Sequence, residues 1–170
     1  MTFALNVATA TPGGAAPGSV WDNYTPLSKL ITIAAVNNKA QFGSTSAAAG
    51  ERKVFGDATD CGLLRFCDKV CDVDDVRAAF ASVFSIPFNS KNKWALNMTS
   101  IPEDPDQCIL MLKGAPEYVM KKCSRYLHKD QEKPMDDEFS HEMFDAYESF
   151  GTLAERVIGH AFKVRIHTQS

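Results

Sequence analysis

Two short stretches carry side chains that together could grip a purine nucleotide. Ile86-Pro87-Phe88-Asn89-Ser90 is followed closely by Lys93, and Met111-Leu112-Lys113-Gly114-Ala115-Pro116-Glu117 comes later in the chain. An aromatic ring offers a flat face to a base, and lysines offer positive charge to phosphates. A glycine lets a ligand approach the backbone beside a helix start. Taken singly, each residue has a plainer use: Phe88 as a core ring on a strand, Lys93 as a solvated turn residue, Gly114 as a bend. Only their combination points to a ligand. Ready-made signatures are otherwise missing, since the sequence has no G-x-x-x-x-G-K-[ST], no G-x-G-x-x-G and no G-x-S-x-G. The expected pocket is therefore one without a P-loop or Rossmann fingerprint.

These stretches need strands and helices to hold them. Trp94, Leu96 and Met98 alternate with Ala95, Asn97 and Thr99, the period of a half-buried strand. Before it, Ser85–Asn89 contains Pro87, which removes a ladder donor and requires an edge position or a bulge if this segment is a strand. Cys108–Leu112 is a continuous apolar run, and the three segments read as an antiparallel meander. Pro116 suits a first helical position, with Val119, Met120, Cys123 and Leu127 forming the apolar face of that helix. Upstream, Leu27, Leu30, Ile31, Ala34 and Ala35 recur at helical spacing. Asp57 or Thr59 would cap a helix carrying Leu63, Leu64, Cys67, Val70 and Cys71. Asp74 and Asp75 would open another, with Val76, Ala79, Phe80 and Val83 on one face. A last helix starts at Asp136–Glu138, carries Phe139, Met143, Tyr147 and Phe150, and stops at Gly151. The alternation in Val157–Val164 predicts a terminal strand.

Composition narrows the class of protein. The chain has 170 residues, of which 45% are hydrophobic and 23% charged, with a net charge of −3. That is the profile of one globular domain, expected here over 1–170, with mobile loops near 11–19 and 43–50. The two signs of charge are mixed and form no basic stripe, so a nucleic-acid partner is not expected. The longest apolar run, Leu30–Val36, is far below the roughly 20 residues of a membrane span. No secretory signal is visible after Met1. Five cysteines, without a C-x-x-C pair, fit reduced thiols. Cys67 and Cys71 share a helical face, but a structural zinc needs four ligands, and core thiols are the expected reading. Metal ligands are expected to be none.

Together with Gly56-Asp57-Ala58-Thr59-Asp60 and Glu155-Arg156-Val157-Ile158-Gly159, the two stretches resemble the nucleotide-binding domain of P-type cation-transporting ATPases. The likeness is closest to the sodium/potassium-pump α-subunit group. It runs in order over almost the whole chain and is carried by K-G-A-P-E, G-D-A-[ST]-[DE] and G-x-x-x-E-R-V. The resemblance implies an α+β fold, a mainly antiparallel sheet flanked by helices. It also implies site roles: Phe88 stacked on adenine, Asp60 facing the adenine amino group, Lys93 and Lys113 lining the pocket, Gly114 and Ala115 as its backbone floor, and Arg156 near the phosphates. Three positions depart from the family pattern. Asp60 stands for a usual glutamate, Ala95 for a glutamine and Ala161 for a cysteine, so nucleotide binding is expected to be weaker than in relatives.

By the same resemblance the chain is a cytosolic piece of a plasma-membrane pump for sodium, potassium or protons. It would bind ATP, used as Mg-ATP in the parent enzyme. Its neighbours would be the phosphorylation and actuator domains, with an auxiliary subunit as a further partner. The chain has no D-K-T-G-T and no G-D-G-x-N-D, so no catalytic residue is assigned in it, and it would hold ATP without completing turnover. Two other readings stay open. One is a degenerate domain acting as a protein-interaction module; the other is a thiol-based metal or redox protein built on Cys61, Cys67 and Cys71.

Overall fold

The computed structural model describes residues 7–9, 24–43, 52–102, 104–128 and 131–166. The expected loop near 11–19 lies outside these residues, as does all but the first residue of that near 43–50. In chain order the elements are β1 (Val7–Thr9), α1 (Pro26–Val36), β2 (Gln41–Phe42), β3 (Val54–Phe55), α2 (Ala58–Cys67), α3 (Val73–Ala79), β4 (Ser82–Ile86), β5 (Trp94–Ile101), β6 (Asp104–Gly114), α4 (Pro116–Met120), β7 (Arg125–His128), β8 (Gln131–Pro134), α5 (Asp137–Thr152) and β9 (Gly159–Ile166). This is the α+β, mainly antiparallel architecture that the sequence implies.

The main sheet has the order β4-β5-β6-β9-β1-β7-β8, and β2 pairs with β3 separately. Every neighbouring pair in the main sheet is antiparallel except β1 with β9. β4, β5 and β6 form the expected meander. β4 takes the edge, has a register shift near Ser82–Phe84, and ends at Ile86, just before Pro87. The proline thus sits where no ladder donor is needed.

α1 is the central helix. Leu30, Ile33 and Val36 pack on Ile109 and Met111 of β6 and on Phe162 and Val164 of β9. Its other side, Ala34 and Ala35, meets Leu63, Leu64 and Cys67 of α2. Burial on both sides explains why the helix carries almost no charge. On the opposite face of the sheet, Leu112 and Ala161 pack with Val119 of α4. The strand β5 shows which face is more deeply covered: Ala95, Asn97, Thr99 and Ile101 are buried, whereas Trp94, Leu96 and Met98 are half-buried. The smaller, partly polar row lies under α1, where small side chains permit close approach.

Four helix boundaries differ from the sequence expectation. α2 ends at Cys67, leaving Val70 exposed, because Arg52 holds the capping residue Asp68 where the chain turns. Val83 lies on the edge strand β4 and is exposed rather than on α3. α4 stops at Met120 in tight turns from Lys122 N–H to Val119 O and Cys123 N–H to Met120 O. Leu127 then enters β7 and reaches the core under α1, so its helical spacing from Cys123 is coincidental. Gly151 lies within α5, since it faces open space and no turn is required of it. Asp57, Asp72 and Asp136 cap α2, α3 and α5. For α2 this resolves the Asp57-or-Thr59 alternative.

His160 on β9 lies opposite Lys113 and is only 2% exposed. Its ring nitrogens have no hydrogen-bond partner among the described residues. Burial, reinforced by the charge of Lys113, pushes the imidazole down to about 3. The folded ring stays neutral where an unfolded histidine takes up a proton near pH 6.5. Its contribution is therefore fully present above that pH and is lost as pH falls through the window down to about 3. Between pH 7 and pH 5 the urea unfolding free energy should drop by about 2 kcal/mol more in the native chain than in His160→Leu. Equal drops would contradict the assignment.

Candidate functional site

The meander, the N-terminal turn of α2 and the segment before β9 enclose a cleft of about 690 Å³. All seven residues expected at the site line it: Asp60, Phe88, Lys93, Lys113, Gly114, Ala115 and Arg156. They come from widely separated parts of the chain, so it is the fold that assembles them.

The floor is held by a network of hydrogen bonds around the buried Asp60. Asp57 Oδ1 accepts from the N–H groups of Thr59 (2.9 Å) and Asp60 (3.0 Å), which fixes the first turn of α2. The Asp60 carboxylate then forms an ion pair with the Lys113 ammonium, and both residues are buried. Its second oxygen accepts the Lys39 N–H at 2.8 Å. Asp60 lies in the cleft, but its carboxylate is already engaged by the protein. Asn38 donates from Nδ2 to Ala34 O and Asp60 O, both at 3.0 Å, and accepts from Ala40 N–H at 2.8 Å. Asn37 Nδ2 donates to Ala95 O (3.1 Å) and Met111 O (2.9 Å), and Asn97 Nδ2 donates to Val36 O (3.2 Å). These asparagines fasten the C-terminal end of α1 to β5 and β6. Arg77 closes the back of this segment by donating to the carbonyls of Ala35, Asn38 and Ala40.

The walls are more open. Phe88 follows β4 and is 58% exposed, so the sequence alternative of a core ring does not hold and its face is accessible. Asn89 Oδ1 accepts from Lys91 N–H (3.1 Å) and Asn92 N–H (2.7 Å), and this turn delivers Lys93 in a left-handed conformation with φ 62°. Lys39, Lys93 and Arg156 place exposed cations on the cleft. Arg156 Nη1 donates to Thr59 Oγ1 at 2.8 Å, joining the segment before β9 to α2.

Gly114 has a structural reason of its own. A Cβ there would lie 2.4 Å from Lys93 O and 2.7 Å from Trp94 Cα, so the missing side chain makes room for the protein's own backbone. Ala115 N–H is likewise committed, donating to Lys93 O at 2.9 Å. Both residues line the cleft, but the backbone there is braced against β5.

Asn38, Asn97, Ser82, Thr59 and Tyr147 also line the cleft, and none of them was expected there as a site residue. Asn97 occupies a polar position of an alternating strand, which reads as solvent-facing. Asn38 follows the end of a helix, where an asparagine reads as a cap or turn. Among the described residues no group of three or more His, Cys, Asp or Glu side chains could hold a metal ion, and all five cysteines are free thiols. No helix among the described residues is long and apolar enough to cross a membrane.

Comparison with known proteins places this geometry in context. The family described as P-type ATPase, cytoplasmic domain N, matches residues 26–169. The chain is 38% identical over 146 residues to the sodium/potassium-transporting ATPase subunit alpha-2 of Gallus gallus, covering 84% of this chain and 14% of that protein. It is 38% identical over 141 residues to the potassium-transporting ATPase alpha chain 2 of Oryctolagus cuniculus, covering 80% and 12%. With the sodium/potassium-transporting ATPase subunit alpha-4 of Rattus norvegicus it shares 35% identity over 136 residues, covering 78% and 13%. The chain thus spans only a small part of the length of the curated relatives it matches.

Removing Lys113 would leave the Asp60 carboxylate buried beside an apolar group. Lys113→Met should cost about 3–5 kcal/mol of stability in urea unfolding, and adding Asp60→Leu should restore most of it. A single variant as stable as the native chain would contradict the buried pair.

Proposed function

We propose that this chain, which belongs to the P-type ATPase cytoplasmic N-domain family, holds ATP for a longer cation pump of the sodium, potassium or proton type. The observation that carries this reading is the convergence of an exposed aromatic ring and several cations on one cleft of about 690 Å³. That volume suits a nucleotide-sized ligand.

In this reading Phe88 stacks on the base, while Lys93 and Arg156 attract the phosphates. Lys113 acts from the floor through the charge it shares with Asp60, and Gly114 and Ala115 form the braced backbone beneath the ligand. Asp60 serves by holding Lys113, and the lone pairs that its carboxylate does not spend on Lys113 and the Lys39 N–H would accept from the adenine amino group. ATP would enter as its magnesium complex, the ion arriving on the triphosphate.

The chain's part in phosphoryl transfer is positioning. It would present ATP to an aspartate on the phosphorylation domain of the parent, with the actuator domain and any auxiliary subunit as further partners. The parent would be an integral protein of the plasma membrane, with this domain on the cytosolic side. Turnover by the isolated chain is not expected, because it supplies no phosphorylatable D-K-T-G-T aspartate.

Titration of the labelled chain with ATP, followed by amide NMR, should move signals around Phe88, Lys113 and Gly114 with a dissociation constant of about 1 mM, or about −4 kcal/mol. Phe88→Ala should weaken binding by about 1–3 kcal/mol without unfolding the domain. An unchanged curve for that variant would remove the stacking role. No response at several times this concentration would favour the protein-interaction module instead.

A further inference from the structure

We infer that a hollow beside the cleft, between the end of α1 and the last turn of α3, binds a small oxyanion, a phosphate or carboxylate group held by Arg77 and Lys39. The hollow measures about 440 Å³, and Val36, Ala40 and Phe80 give it an apolar lining. Such a volume suits one anionic group with a short organic body. Val36, Asn38, Lys39, Ser82 and Asn97 line both spaces, so the hollow adjoins the cleft. Ala40, Gln41, Arg77 and Phe80 line the hollow alone. It is therefore a second site, independent of the nucleotide reading.

Arg77 stands in the last turn of α3 and reaches across to the end of α1. A guanidinium has five N–H donors in a fixed fork. Nε donates to Ala35 O at 2.9 Å, and Nη2 donates to Asn38 O at 3.3 Å and to Ala40 O at 3.0 Å. These bonds use the three N–H groups of Nε and Nη2, and the two on Nη1 have no partner among the described residues. Every acceptor is a neutral carbonyl. Burial lowers the pKa of this guanidinium, and Asp74, whose charge opposes that trend, is itself bonded to Arg52 at 2.8 Å. Bracing α1 therefore accounts for one edge of the fork and leaves the other edge, with its charge, to whatever enters the hollow.

Lys39 supplies a second cation. Its backbone N–H is spent on Asp60, but its side chain is exposed, and its ammonium belongs to none of the ion pairs among the described residues. Gln41, exposed at the start of β2, adds an amide donor to the lining. No aspartate or glutamate lines the hollow. An arginine edge and a lysine point charge around an apolar lining, with no acid to neutralise them, are the complement of a phosphate or carboxylate: the fork meets two oxygens and the ammonium meets the remaining charge.

The test is NMR titration of the full chain, reading backbone amides and the arginine Nε–H groups, with inorganic phosphate, acetate and chloride at one ionic strength. Phosphate, acetate or both should move the signals of Lys39, Ala40, Gln41 and Arg77 to saturation with a dissociation constant of about 1–10 mM, and chloride should not. Saturation by only one of the two oxyanions assigns the hollow to that class. Lys39→Gln, an exposed change that keeps the N–H bonded to Asp60, should weaken binding about three- to tenfold. Arg77→Lys keeps the charge but loses the fork, and should weaken binding at least as much in a chain that still unfolds cooperatively in urea. Shifts that fail to saturate, or that chloride reproduces, would overturn the site, as would an unchanged dissociation constant in Lys39→Gln. Phosphate shifts confined to the amides around Lys93 and Arg156 would also overturn it, while supporting the phosphate end of the nucleotide cleft.

Discussion

One buried ion pair organises the cleft. Lys113 leaves the end of β6 on the face covered by α1, and Asp60 enters from the first turn of α2, so their contact joins the sheet to a helix that otherwise packs on α1. Neither charge could be buried alone without a large desolvation cost, so each fixes the place of the other. The Asp57 cap and the Lys39 N–H secure Asp60 from two further directions. The floor is therefore set before any ligand arrives.

That arrangement divides labour between a rigid inner wall and an accessible rim. The wall consists of polar groups that bond to each other and to backbone carbonyls, and it shapes the cleft. The rim carries Phe88, Lys93 and Arg156, which are exposed and able to meet a ligand. Under the proposed function such a division would suit a positioning role, with binding free energy supplied by stacking and long-range charge at the rim.

Much of the fold was legible because its signals are local. The 3.6-residue spacing of Leu27–Val36 marks α1, and the period-two stretch from Trp94 marks β5. Acidic residues at 57, 74–75 and 136–138 mark helix starts, although the cap of α3 is Asp72, just ahead of the expected pair. What was illegible depends on distant partners. β1 is only three residues long and is a strand because it lies between β9 and β7. Leu127 mimics a helical position but belongs to a strand that pairs with β8 and β1. The alternation in β5 identified a strand without revealing that its less apolar row lies under α1.

The same distinction applies to the site. The seven expected residues were named through motifs and a family resemblance, and the fold brings all of them to one cleft. No motif announced that Asp60 would be consumed by Lys113, since residues 60 and 113 are related only by topology. Asn38 and Asn97 were invisible for a similar reason: an asparagine after a helix or on a strand's polar row looks solvated until the element that buries it is known. The most direct test of the account is an intermolecular NOE measurement between the base protons of bound ATP and the side chains of the isotope-labelled chain. The account predicts contacts from the purine ring to the Phe88 ring, with Lys113 still paired to Asp60. Base contacts confined to another surface, with none to Phe88, would contradict it.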